Sequence, residues 1–592
     1  SEASPPTSPS SRPDPPPTAP SPSPITLPKR RNRRESELPD FVNGLLGAVA
    51  PICGPLLRPL RVAAIAAGLG LAPCAAVAQE FVELPQSIVP FGPGVTVVGP
   101  ASPDAPVHFQ LALKLRNFSE LQDRLAAGQQ VAYPELEQQF LPTAQDYGSV
   151  VAWLRGEGLT IERTARDRMT VAAGGAVASV SRALGISFMH IISEGQEYVS
   201  ANSAPKAPAA LSGIVASVNG LQPQLHMNKL SILSPQATPG FSPAGIRDAY
   251  AATGLSETGA NTTTAIIIDT FPNRSDLTTF WNEGLVPQLQ SNITFIQAVP
   301  GTLPAPSGEE SIDTEWASSI APGSKVRVYA YGNTATNAAF FTDVDNGYEA
   351  IILDLANGVK ITQVSISLGI CETLVPQGQF LTDEYFHAIL TSLGATVLVA
   401  TGDNGSTGCF RFTKSLAKVA EFPSTSPDVT AVGGTTLVLN SNGSVASETA
   451  WSGDGASGGS GGGLSVAFKT PSYQSSLGLP SRGVPDVAAD ANPATGVAIV
   501  LNGKVVVFGG TSVATPIWAG LMGLVNQARL AAGKSTLGLL NQRLYRPVPE
   551  AAFRDITVGN NGFPALVGYD LVTGWGAPRM NILLPDLKAQ TP

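Results

Sequence analysis

Histidine is scarce in this chain: four in 592 residues, at His108, His190, His226 and His387. The shortage matters because a serine nucleophile commonly draws its base from an imidazole. Only His387 shares the C-terminal half with the best nucleophile candidate, and it sits in residues 382–390, which read as an ordinary amphipathic helix. A Ser-His-Asp triad is therefore hard to build. Charge is thin as well, 14% Asp, Glu, Lys and Arg with a net −9, and such a surface argues against nucleic-acid binding. There are four cysteines; Cys53 and Cys74 fall near the N-terminus, which leaves Cys371 and Cys409 as one even pair. That pair reads either as a disulfide in an oxidising compartment or as two free buried thiols. Beyond residue 78 no run is long and apolar enough to span a bilayer. What abounds is glycine, 60, and proline, 50, in a turn-rich chain. At ~150 residues per domain its length suits two or three domains.

The stretch around which the rest is organised is GGTSVATP at residues 509–516. A β-branched run at 505–508 leads into Gly509 and Gly510, and an apolar, helix-like run follows at 517–522. Glycines let the backbone bend between strand and helix. A serine placed there, Ser512, has its hydroxyl at the positive end of a helix dipole, although an N-cap is the blander reading. With no histidine to serve it, the base must be sought among carboxylates. Glu309 and Asp313 are spaced i, i+4, so on a helix they share one face and come close enough to share a proton. That helix stops at Pro322 and Gly323. Taken alone, an acidic helix start is more often a solvated one. Asp403 follows the apolar strand 396–399 within a Gly-Asp-Asn-Gly turn, where an aspartate usually only shapes the turn.

Together these three segments resemble the sedolisin family, the serine-carboxyl peptidases that include the kumamolisins. The resemblance covers roughly residues 105–590. It implies an α/β, subtilisin-like, doubly wound and mainly parallel sheet, preceded by an α+β, ferredoxin-like open-sandwich prodomain. It also implies roles: Ser512 as nucleophile, Glu309 as general base, Asp313 orienting it, and Asp403 in the oxyanion hole. Asp269, ending the buried strand 265–268, is a secondary member of the acid network by the same resemblance. The chemistry is coherent, since a carboxylate base works at acid pH where imidazole is protonated. An oxyanion-hole aspartate must itself be protonated to donate a hydrogen bond. Two neighbouring carboxylates sharing one proton titrate as a pair.

Taken in order, residues 1–78 read as a Pro/Ser-rich disordered leader with a basic run at 29–34, then an h-region at 61–72 and a small-x-small cleavage signal at 76–78. Export, secreted or periplasmic, with a signal peptide ending near Ala78, is the expectation. Residues 79–225 alternate short strands and helices and resemble the family's activation prodomain, expected to inhibit its own peptidase. Residues 226–240 are a linker where maturation cleavage is expected, and 241–592 are the peptidase domain. Residues 343–348 before a helix look calcium-like, but an acidic helix start explains them equally well. The glycine-rich run 458–463 could be a flexible linker, whereas the resemblance makes it core. The segment 365–369 departs from the resemblance at Leu368, where many members of the family carry Trp.

Near the C-terminus, Asp555 and Asp570 bracket a Gly/Asn-rich loop. A hard-oxygen site suited to calcium and a plain surface loop are both compatible with it. By resemblance, Asp555 and Asp570 give side chains, and Ile556, Leu566 and Gly568 give carbonyls, to one structural Ca2+. The expected protein is a monomeric secreted acid endopeptidase made as a zymogen and acting on proteins or peptides. A non-catalytic binding relative and a neutral subtilisin-like hydrolase are the alternatives.

Overall fold

The computed structural model describes residues 80–234, 239–332, 341–547 and 550–591. The leader and signal peptide expected over residues 1–78 lie outside the described residues, as do linker residues 235–238. Among the described residues no helix is long and apolar enough to cross a membrane.

The peptidase sheet grows from strands apolar on both faces. Thr263–Ile268 is its centre, and every residue in it is buried. Successive side chains leave a strand on opposite sides. Ile266 and Ile268 therefore join one core with Ile312, Trp316 and Leu521, while Ala265 and Ile267 join another with Tyr348, Ile351 and Phe386. This is how a parallel sheet covered by helices on both faces is written in sequence. Across the sheet the order is Ile293–Gln297, Lys325–Ala330, Thr263–Ile268, Gln363–Ile366, Thr396–Ala400 and Thr430–Leu439, all parallel, closed by the antiparallel Val445–Ala450. Val487–Asp490 runs parallel to Thr430–Leu439. Three neighbouring strands end just before Asp269, Ser367 and Asp403. The carboxyl edge of an open α/β sheet is where functional groups collect.

The N-terminal unit is α+β, as expected. Thr160–Thr164, Thr170–Ala176, Pro106–Leu113 and Val215–Asn219 form an antiparallel four-stranded sheet. Helices Ala144–Gly156 and Val177–Leu184 cover it through Val150, Leu154, Val180 and Leu184. Thr143 caps the first of these by accepting from the Asp146 N–H at 3.0 Å.

This unit docks on helix Gln377–Ser392 of the peptidase domain. Asn219 Nδ2 donates to Thr382 Oγ1 at 2.9 Å, and Phe118 meets Tyr385 edge-on at 4.7 Å. Nearby, Arg163 pairs with Glu349. Residues 343–348, open between a calcium-like segment before a helix and an acidic helix start, lie within Phe341–Ala356 with Asp343 in its first turn, so they are the helix start. Asp345 is buried there beside Asp383, and Gln379 Nε2 donates to both at 3.1 and 2.8 Å. Helical periodicity aims that carboxylate into the core, so it is not part of a calcium loop.

Candidate active site

Two buried helices, packed against each other, carry the candidate residues. Thr511–Ala531 begins after Gly510, whose φ of +112° suits glycine. Ser512 therefore occupies the first turn, where backbone N–H groups have no partner within the helix. Two of these are taken up at once: the Thr511 N–H donates to Asp403 Oδ1 at 2.8 Å, and the Ser512 N–H donates to the Leu230 carbonyl at 3.2 Å. The helix Glu309–Ile320 is buried on every face, which removes the solvated-acid reading. Glu309 opens it and Asp313 lies one turn on.

Glu309 and Asp313 are both fully buried, and burial is the main cause that raises the pKa of each. For Asp313 the second cause is the charge of Glu309. The Ser231 and Ser512 hydroxyls lie close enough to Glu309 to favour its ionised form, without either Glu309 oxygen reaching hydrogen-bond geometry. Ser367 Oγ donates to Asp313 Oδ1 at 2.7 Å. Lys229 is the cation that favours ionisation of Glu309, Glu310 and Asp313 alike.

Asp403 is held for a different task. Its Oδ1 accepts from Thr511 twice, from the N–H and from Oγ1 at 3.0 Å, while Oδ2 is buried without a partner. Burial pushes its pKa up to about 7, so the acid is neutral below that pH and Oδ2 is free to donate. A Cβ on Gly510 would fall 2.5 Å from the Leu230 carbonyl oxygen and 2.7 Å from Asp403 Oδ2, so both atoms face the space that this glycine leaves open. The glycine-rich run is packed core: Gly459 and Gly461 N–H groups donate to the Asp403 and Gly402 carbonyls at 3.0 and 2.7 Å. A Cβ on Gly461 would fall 2.0 Å from the Thr401 carbonyl oxygen, so this run braces the Asp403 turn.

His387 belongs elsewhere. It is fully buried, with Nδ1 at 3.1 Å from Ser426 Oγ and Nε2 at 3.0 Å from Tyr348 OH. Burial lowers its pKa to about 3. Cys371 and Cys409 are joined in a disulfide, which settles the open question about that pair. Asp269, taken from the sequence as a member of the acid network, forms an ion pair with Lys229 at 2.7 Å.

The C-terminal loop brings its five residues together. Asp570 accepts from the Leu566, Val572 and Thr573 N–H groups at 2.8–2.9 Å, and Asp555 accepts from Gly568 at 3.0 Å. Among the described residues, neither carboxylate pairs with a basic side chain. Leu566 is not among the residues with positive φ, so its backbone holds a side chain without strain. Both carboxylates lack a basic partner but accept backbone N–H groups, so a hard cation bound here would share oxygens already engaged. Among the described residues, no group of three or more His, Cys, Asp or Glu could hold a metal, so the remaining ligands would have to be carbonyls.

Sequence reasoning missed the linker segment lying in the cleft, the Ser367 hydroxyl on Asp313, and Glu421. Glu421 is 2% exposed under Gly402 and Gly369, and burial pushes its pKa up to about 8. The short apolar-polar-apolar run Leu230-Ser231-Ile232, unbroken by a turn residue, is the one signal that could have marked the segment as a strand.

Comparison with known proteins agrees with this geometry. The family described as "Pro-kumamolisin, activation domain" matches residues 93–223, and "Subtilase family" matches residues 306–545. The chain is thus a subtilase-type serine peptidase carrying its activation domain. Kumamolisin of Bacillus sp. (strain MN-32) is 31% identical over 539 residues, covering 83% of this chain and 94% of that protein. Sedolisin of Pseudomonas sp. (strain 101) is 29% identical over 524 residues, 79% of this chain and 85% of its own length. Among solved structures, Pseudomonas sedolisin, a serine-carboxyl proteinase complexed with pseudo-iodotyrostatin, superposes with a TM-score of 0.53 at 26% identity, covering 60% of this chain and all of that one. The chain belongs to the sedolisin family of serine-carboxyl peptidases.

Proposed function

We propose that this chain is the zymogen of a secreted or periplasmic endopeptidase that works at acid pH through Ser512, Glu309, Asp313 and Asp403. Ser512 Oγ attacks the scissile carbonyl and Glu309 takes its proton, later passing it to the leaving amine. Asp313, oriented by Ser367, holds Glu309 and shares its proton. Protonated Asp403 and the Ser512 N–H stabilise the oxyanion, and the acyl-enzyme is then hydrolysed by water. The observation that carries this reading is that the titratable group beside Ser512 is a buried carboxylate, while His387 spends both ring nitrogens on Ser426 and Tyr348.

Export is supported by the hydrophobic run and small-residue signal before Ala78 and by the disulfide. The activation domain, with the linker after it, acts as the chain's own inhibitor until the linker is cut. One Ca2+ is assigned to Asp555 and Asp570 with the carbonyls of Ile556, Leu566 and Gly568; bound there, it would tie the C-terminal loop together and take no part in the reaction. The test is hydrolysis of denatured protein between pH 3 and 8 by the wild type and by Ser512→Ala. Activity that peaks in acid and vanishes in the variant is expected. Correctly folded, processed wild type that cleaves nothing would return the chain to the non-catalytic alternative.

A further inference from the structure

The linker does more than connect the two domains: it crosses the active site in an extended conformation, paired with the peptidase on both sides. Before Ser512, Asn228 and Lys229 pair antiparallel with Gly369 and Leu368, and the Leu230 N–H donates to the Ser367 carbonyl at 3.2 Å. After it, Ile232 and Leu233 pair antiparallel with Gly509 and Phe508, and the Ser234 N–H donates to the Val507 carbonyl at 2.8 Å. Between these two ladders the Leu230 carbonyl oxygen accepts from the Ser512 N–H, and it shares the space over Gly510 with the unpartnered Oδ2 of Asp403. The oxygen of a scissile carbonyl must sit on such a backbone donor with the second donor within reach. Main-chain pairing with exposed edges on either side of a nucleophile is how an extended peptide is presented for cleavage.

The side chains add a reading of what precedes the bond. Leu230 is 2% exposed, with its Cδ1 lying against Gly369. Lys229, one residue earlier, reaches down to the sheet edge. Its Nζ is 2.7 Å from Asp269 Oδ2 and donates to Ser307 Oγ at 2.7 Å. Asp269 Oδ1 is buried without a hydrogen-bond partner, so Lys229 is the cation that compensates this carboxylate. Within the acid-rich floor made by Glu309, Glu310, Asp313 and Asp269, an ammonium group also favours the ionised form of the base.

We propose that the peptide bond between Leu230 and Ser231 is the first one the enzyme cuts in its own chain, and that Asp269 with Ser307 forms a subsite selecting a basic residue immediately before the residue whose carbonyl is attacked. This rests on the peptidase reading above and names its substrate. In the cut, Ser512 Oγ bonds to the Leu230 carbonyl carbon as the bond to the Ser231 nitrogen breaks. The Ser512 proton passes through Glu309 to that nitrogen, giving a new amino terminus at Ser231. Water then releases Leu230 as a carboxylate and restores Ser512. External substrates with Lys or Arg in the Lys229 position and an apolar residue in the Leu230 position follow the same track.

The experiment is to acidify the purified full chain, quench at intervals from seconds to minutes, and read the earliest products by intact mass and N-terminal sequencing. Ser512→Ala serves as the uncut control. The expected first product begins at Ser231, with trimming toward the peptidase domain later. Lys229→Gln should slow that first cut by about tenfold, the loss of roughly one charge-assisted pair. On the processed enzyme, two peptides differing only by Lys or Gln before a Leu should differ by about tenfold in kcat/KM, and Asp269→Asn should erase that ratio. Because the ratio is taken on one folded enzyme, it does not depend on how much of the variant folds. An earliest product that begins elsewhere, or a Lys/Gln ratio that Asp269→Asn leaves within about twofold, overturns the proposal and leaves the peptidase reading standing. Wild type that cuts neither itself nor any peptide would overturn both.

Discussion

Replacing Asp403 by Asn separates the two jobs its carboxyl performs. Asn Oδ1 can keep both bonds from Thr511, which now reach Asp403 Oδ1 at 2.8 and 3.0 Å. Its Nδ2 takes the place of Oδ2, the buried oxygen with no partner, and donates a hydrogen bond at any pH. In the wild type that donor exists only while the acid is protonated, and burial sets its pKa at about 7. Protonation is then almost complete at pH 4 and falls to roughly one tenth at pH 8. The ionised form would also set a negative charge against the developing oxyanion. The alkaline limb of the wild-type profile should therefore fall near pH 7, and Asp403→Asn should move it and the activity maximum upward by more than about one pH unit. Asp403→Ala, which has no donor, should lose on the order of 10²–10³ in kcat at every pH. The assay is kcat/KM against pH on a fluorogenic peptide, using processed enzyme. An Asn variant with an unmoved alkaline limb, or an Ala variant within threefold of wild type, would refute the assignment of Asp403.

The buried acids also fix how stability responds to pH. Asp403 is raised to about 7, and Glu421 and Asp490 to about 8, in each case first by burial. The stability these groups contribute is fully present below about pH 4, where they are also protonated when unfolded, and is lost as pH rises through 7 to 8. His387, lowered to about 3, works the other way: its share is present above about pH 6.5 and is lost as pH falls from there toward 3. The midpoint of thermal unfolding of the uncut Ser512→Ala chain should accordingly fall between pH 5 and pH 8; a steady rise would contradict the burial of these acids in protonated form. Calcium added at about a hundred times its dissociation constant should stabilise the fold by ~2.7 kcal/mol. Chelation should reverse this in the wild type and change nothing in Asp570→Asn, as read by differential scanning calorimetry. A chelator-insensitive wild type would dismiss the calcium assignment.

The parts of the molecule legible in the sequence were those written in local pattern. The i, i+4 spacing of Glu309 and Asp313, the glycine turn before Ser512 and the apolar run 265–268 each carry a local pattern that one element obeys by itself. The i, i+4 spacing did not reveal that Glu309–Ile320 is buried all round, because helical periodicity alone makes its polar face look solvated. Asp345 stayed ambiguous for the same reason: an acidic cluster fits a calcium loop and a helix start equally until the neighbouring helix brings Asp383 and Gln379 beside it. The linker was hardest to read. Its strands exist only because Leu368, Gly369, Phe508 and Gly509, more than a hundred residues away, offer edges to pair with, and strand formation depends on such partners more than on the segment's own composition. The place of Asp269 at a strand end was legible, but its ion pair with Lys229 could not be seen until that linker was in place.

In the proposed mechanism a carboxylate, not an imidazole, serves as the base for Ser512. That assignment is tested most directly by pH–activity profiles of Glu309→Gln and His387→Gln beside the wild type, at a temperature where all three are folded. The account predicts that Glu309→Gln loses on the order of 10²–10⁴ in kcat, while His387→Gln keeps the wild-type acid profile. A Glu309→Gln enzyme with near wild-type activity, or an activity peak at neutral pH that disappears with His387, would contradict it.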